Sequence, residues 1–414
     1  MSFDVVFDNF VRSETHIKEV SLDIPYRFQL RSLERVKELF LRWLDVYKAY
    51  ANGYRNELLT KTSRYVIRML SSFTDTLEGK VREVFEARIP NEAYILVNDL
   101  FEQLGPRPIT FVLAEGTLFE QTSIFRQLSE TIDKMSAPRP AQGTANIDIN
   151  MRDIQSRDVP VLYYEQGQYD NVLAWPLLLH EAFHYLYTYE RLDRLAKDCP
   201  KVSWLEEALI DMYIVNYFGP AYALSLATYL QRFPHEKTVS HPSFVARIFI
   251  ALQYLVKVKK ENKLPSPVSY HTSDVFEYLK KVWSQQKEAD TAQVQEQVET
   301  VYNAAEQRVI DVISEKAQPF SKFLTTNEEQ RKTMHARGGF EYVENQVLSV
   351  GDVLEYFEAG IPVAADPRIL FNTFTSRKSQ EMIHDPRLRT FIVESLKKWH
   401  IKNAWSAAKA SVQR

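Results

Sequence analysis

Residues 175–187 read WPLLLHEAFHYLY. Inside an otherwise apolar run, His180 and His184 stand four positions apart with Glu181 between them, the pattern H-E-x-x-H. The chain has 9 histidines in 414 residues, so two of them in one apolar turn need a physical reason. On an α-helix, positions i and i+4 lie one above the other on the same face. The two imidazoles can therefore grip one ion from a rigid platform. Glu181 lies about 100° further round the helix, where it reaches a water on that ion without being a ligand. The plain alternative is a helix whose histidines are packed in a core or simply solvated.

Two histidines and a carboxylate in these positions form the arrangement of metalloproteases. Catalytic zinc takes three protein ligands and keeps an open position for water, so a third ligand is expected. No third histidine follows at the short spacing of the H-E-x-x-H-x-x-G-x-x-H class. Downstream, residues 203–213 read SWLEEALIDMY. Glu207 and Asp211 are again i and i+4, on a second helix that can return antiparallel after a loop. Glu207 is the preferred third ligand. Asp211, one turn on, is placed to accept the free ring N–H of a metal-bound histidine. Glu206 competes for the ligand position but shares no face with Asp211. With Ser203 as N-cap, Glu206 takes the capping-box position instead.

A third segment, HPSFVARI at residues 241–248, opens another apolar helix. Alone it is a helix start with an early proline. Beside a metal site, His241 or Arg247 can stabilise the negative charge that develops when water attacks a carbonyl.

In order and rough spacing, HEAFH, EALID and HPSFVARI resemble the gluzincin zinc metallopeptidases of the M48 class, whose signature runs H-E-x-x-H, E-x-x-x-D, H-P-x-x-x-x-R-I. The resemblance covers about residues 160–255. It implies Zn2+ on His180, His184 and Glu207, Glu181 as general base, Asp211 behind the ligands, and His241 and Arg247 near the substrate carbonyl or supporting the site. It implies a zincin-like core with a small β-sheet. Two positions where small residues are common in that class hold Phe183 and Ile210 here.

The rest of the chain frames this reading. The composition is 45% hydrophobic and 25% charged, long enough for two or three domains with real cores. A formal net charge of -3 gives no electrostatic case for nucleic acid. A single cysteine, Cys199, excludes an intrachain disulfide framework and fits a reducing compartment. No run reaches the ~20 apolar residues of a membrane helix, and the N-terminus does not read as a secretory signal. The expectation is a cytoplasmic, mainly α (α+β) protein with no membrane or nucleic-acid partner.

Periodicity sorts the chain into three parts. Residues 1–105 read as helical, with Leu33, Val36, Leu39, Phe40, Trp43, Leu44 and Tyr47 at helical spacings. Residues 106–262 hold strand candidates (PITFVLA, NIDI, VPVLYYEQG) and then the motif-bearing helices. The last candidate reads equally as an edge strand that a peptide could extend or as a covered interior strand. Residues 263–414 are helical again, including a valine stripe from Val294 to Val312. The final helix mixes Lys397, Lys398 and Lys402 with Trp399 and Trp405, read as a solvated basic face with buried tryptophans.

The function expected is that of a zinc peptidase acting on a restricted protein or peptide substrate. The rivals are a non-catalytic helical scaffold with a structural or vestigial metal site, and a zinc hydrolase acting on another amide. Glu181 separates the first two, because a structural site needs no base and closes its fourth position.

Overall fold

In a computed structural model of the chain, the structure describes residues 3–20, 26–54, 61–85, 90–104, 111–116, 120–123, 159–165, 168, 171–189, 202–230, 244–260, 277–281, 320, 323, 329–330, 348–375 and 385–412. These residues are mainly helical with one three-stranded sheet. The chain divides into two compact units. One comprises Met1–Tyr94 with Pro108–Gln166, the other Ile95–Arg107 with Gly167–Arg414.

The first unit is built on helices α1 (Phe3–Glu19), α2 (Arg27–Tyr54) and α3 (Lys61–Phe85), which pack on one another. The apolar positions expected from the period of α2 are all buried, from Leu33 through Trp43 to Tyr47. Tyr47 stacks on Phe73 of α3 with ring centroids 3.5 Å apart. Helix α4 (Asn91–Leu104) begins in this unit and continues into the second.

Strands β1 (Val112–Gly116), β2 (Glu120–Ser123) and β3 (Pro160–Glu165) form a sheet in the order β1-β3-β2. β1 runs parallel to β3, and β2 antiparallel to it. Alternation sorts the side chains. Val112, Ala114, Val161 and Tyr163 join the core of the helices, while Leu113 meets the Tyr94 hydroxyl through its backbone N–H at 2.8 Å. β3 is the central strand and all six of its residues are buried. The edge-strand reading of VPVLYYEQG is therefore wrong: both flanks of β3 are already paired, so no peptide can add there. β1 lies in PITFVLA as expected. β2, with sequence EQTS, has no strand signature. The NIDI candidate and the valine stripe lie outside the described residues.

The second unit holds a short 3-10 turn (Val172–Ala174) and helices α5 (Leu177–Tyr189), α6 (Val202–Phe218), α7 (Pro220–Leu230), α8 (Phe244–Lys260), α9 (Val350–Glu358), α10 (Pro367–Thr373) and α11 (Pro386–Val412). α6 is its axis, with α5, α7 and α8 all packed against it. It is buried on nearly every face from Glu207 to Phe218, which explains why its sequence shows no amphipathic stripe. Gly219, at φ 91°, turns the chain from α6 into α7. Its N–H donates to the Val215 carbonyl at 2.9 Å. Asn372 of α10 clamps the same corner: its amide donates to the Phe218 carbonyl at 2.7 Å and its oxygen accepts the Ala221 N–H at 2.8 Å.

α9 starts with a capping box in which Ser349 and Asp352 satisfy each other's backbone N–H groups. Trp405 on α11 is 66% exposed, not buried as expected. Among the described residues no helix is long and apolar enough to cross a membrane.

Candidate metal centre

α5 carries both histidines with their rings nearly perpendicular, at 84°. His180 is buried and His184 half-buried. Their Nε2 atoms point at each other across 3.1 Å. α6 brings Glu207 to the same point. Its Oε2 lies 3.1 Å from His180 Nε2 and its Oε1 3.2 Å from His184 Nε2. His180, His184 and Glu207 thus bring their donor groups from two helices to one point, a triangle of residues in which Glu207 turns one oxygen to each ring. Two unprotonated ring nitrogens cannot face each other at such a distance, because both present lone pairs; a proton or a cation has to sit between them. Among the described residues, His180, His184 and Glu207 form a group that can hold a metal ion.

Behind the triangle each imidazole is held by a carboxylate. Asp211 Oδ1 lies 3.0 Å from His180 Nδ1, and Glu206 Oε1 lies 3.0 Å from His184 Nδ1. An ionised carboxylate only accepts, so each Nδ1 carries the hydrogen and each Nε2 is left with its lone pair toward the triangle. Asp211 is fully buried and needs further donors. Arg247 of α8 supplies two, from Nε to Oδ2 at 2.6 Å and from a terminal nitrogen to Oδ1 at 2.9 Å. The Tyr222 hydroxyl of α7 supplies another, to Oδ1 at 2.5 Å. Four helices, α5 to α8, therefore meet at one buried carboxylate.

The charge balance follows from these contacts. Burial opposes ionisation of Asp211, but the Arg247 guanidinium and His180 outweigh it and hold its pKa down at about 2. Glu207 is likewise held far below the carboxylate range by His180 and His184 despite its burial. Burial disfavours a charged His184, yet hydrogen bonds to Glu206 and Glu207 overcome it and raise the pKa to about 10. His180 also moves up: burial and Arg247 push against its charge, and Asp211 and Glu207 prevail. Without an ion the site keeps protons in its place, and those protons leave when an ion binds. With both histidines neutral, the buried charges are one guanidinium (Arg247) against two carboxylates (Glu207 and Asp211), a net of one negative charge that a divalent cation offsets.

The structure brings together His180, His184, Glu207, Asp211 and Arg247. Glu181, half-buried on α5, makes no hydrogen bond or ion pair with another described residue, and its charge acts on His184. Arg247 sits on Asp211, which makes it a support of the site in this arrangement. His241 lies outside the described residues. Glu206 does not have the capping role: α6 already begins at Val202, before Ser203, and the Glu206 carboxylate is on His184. Tyr222 was missed altogether. It follows the Gly219–Pro220 break, a visible sign that the next helix turns back, but several tyrosines nearby carried the same signal.

Compared with protein-family models, with curated proteins and with solved structures, the chain has no significant match.

Proposed function

We propose that this chain is a zinc-dependent peptidase of gluzincin type. The carrying observation is the donor triangle of His180, His184 and Glu207, with each histidine locked through its Nδ1. Zinc bonds of about 2.0–2.1 Å to nitrogen and oxygen imply a tetrahedral edge of roughly 3.3–3.4 Å. The separation of the two Nε2 atoms, 3.1 Å, and that of His180 Nε2 from Glu207 Oε2, also 3.1 Å, are close to it. When bound, zinc supplies a water of lowered pKa and a Lewis acid for the scissile carbonyl. Glu181, next in sequence to His180 and without a hydrogen-bond or ion-pair partner among the described residues, would be the base for such a water and the acid for the leaving amine. Arg247 and Tyr222 fix Asp211, which fixes His180. The triangle has no fourth ligand among the described residues, which favours a catalytic site over a structural one. The substrate class that goes with this reading is a restricted protein or peptide.

Glu181→Gln tests the reading. This variant is expected to keep its zinc, measured by elemental analysis, and to lose cleavage of a mixed quenched-fluorescent peptide library by at least about 10²-fold. Loss of zinc from Glu181→Gln, or undiminished cleavage by it, rules out the role given to Glu181. A metal-free protein that cleaves as well as the loaded one sinks the proposal.

A further inference from the structure

The two histidines are held by carboxylates of very different exposure. The Asp211 side chain is 1% exposed, and that of Glu206 is 42% exposed. Asp211 is tied to three helices beyond its own through His180, Tyr222 and Arg247. The only hydrogen bond of Glu206 within the described residues is the one to His184 Nδ1. A half-exposed glutamate forgoes hydration and side-chain freedom to hold this geometry.

We infer that Glu206 is the positioning residue of His184. It sets which ring nitrogen carries the hydrogen and which edge of the ring faces the ion. The inference rests on the metal reading above and deepens it. Without an acceptor at Nδ1, the His184 ring is free to flip about its Cβ–Cγ bond and to exchange tautomers, so Nε2 presents its lone pair to the ion only part of the time. Because Glu206 faces water and Glu207 remains on the protonated His184 of the ion-free site, its removal leaves no buried charge unpaired. The fold is therefore spared and the loss falls on metal binding, the reverse of what burial dictates at Asp211. Glu206 and Glu207 thus divide the work of one turn of α6. Adjacent side chains on a helix diverge by about 100°, which lets Glu207 reach the ion while Glu206 reaches round to the far side of the His184 ring.

The test compares wild-type protein with Glu206→Ala, Glu206→Gln, Glu207→Ala and His180→Ala. Zinc affinity is measured by competition with a chromophoric chelator, the visible spectrum of the cobalt-loaded protein is recorded, and the metal-free forms are melted. Glu206→Ala is expected to bind zinc about 10–100-fold more weakly, with an altered cobalt spectrum and a metal-free melt like that of wild type. Glu206→Gln keeps an oxygen acceptor for Nδ1–H and is expected to recover most of the affinity and the native cobalt spectrum.

The inference is overturned if Glu206→Ala binds as wild type does. It is also overturned if Glu206→Gln is as weak as Glu206→Ala, or if the metal-free melt of Glu206→Ala falls together with its affinity. Glu207→Ala and His180→Ala keep the two levels apart. If they lose the ion while Glu206→Ala does not, only the positioning role fails; if they too retain it, the metal reading falls and the inference with it.

Discussion

Arg247 and Asp211 meet where water does not reach, and that burial sets the consequence of separating them. The guanidinium touches both carboxylate oxygens, at 2.6 and 2.9 Å, in the forked geometry that makes such pairs strong. Removing Arg247 leaves Asp211 charged and buried with only His180 and the Tyr222 hydroxyl as partners among the described residues; breaking a buried pair in this way costs up to about 3–5 kcal/mol. Arg247→Ala is therefore expected to lower the unfolding free energy by about that amount, measured by urea titration of the metal-free protein. Arg247→Lys can replace the charge but not the fork, and is expected to fall between the two. A loss below about 1 kcal/mol in Arg247→Ala would mean that Asp211 is protonated or hydrated there, against the depressed pKa that its surroundings impose.

At the scale of elements, the corner between α6 and α7 matters most. α6 delivers Glu206, Glu207 and Asp211, and α7 delivers Tyr222 three residues past Gly219. A side chain at position 219 meets two penalties. The backbone there has φ 91°, where L residues are strained, and a Cβ would come within 2.4 Å of Phe320 Cδ1. Gly219→Ala is expected to destabilise the protein by at least about 2 kcal/mol, counting backbone strain and overpacking together. It is also expected to weaken metal binding, because α7 must shift and carry the Tyr222 hydroxyl away from Asp211. Urea unfolding and zinc titration read the two effects separately. An unchanged urea midpoint would show that the corner relaxes freely, and the link from α10 through Asn372 to the site would lose its basis.

For the whole molecule, a bound ion is a cross-link between α5 and α6 within the second unit. An ion held at about a thousand times its Kd stabilises the folded state by about 4 kcal/mol. Chelation is expected to raise amide hydrogen exchange in α5, α6 and α8, measured by mass spectrometry, and to leave α1–α3 and the sheet of the first unit unchanged. An equal rise in both units would mean that the ion supports the molecule as a whole. No protection anywhere on adding zinc would remove the ion from the description.

Local signals carried much of this protein. The period of apolar residues in α2 gave its buried face, because a 3.6-residue repeat is a property of the chain alone. The i, i+4 spacings of His180 with His184 and of Glu207 with Asp211 likewise placed each pair on one helix face before any fold was known, and Glu207 is the carboxylate that joins both histidines in the group that could hold an ion. What depended on distance along the chain was hidden. Sequence spacing does not say that VPVLYYEQG is the middle strand, since both of its neighbours, β1 and β2, lie on the far side of a long interval of chain. It does not say that Tyr222, one tyrosine among several, is the one whose hydroxyl reaches Asp211, nor that Glu206 turns to His184 instead of capping its own helix. The last two choices were made by the packing of α5, α7 and α8 around α6, where a buried carboxylate must find donors from whichever helices the tertiary structure brings to it.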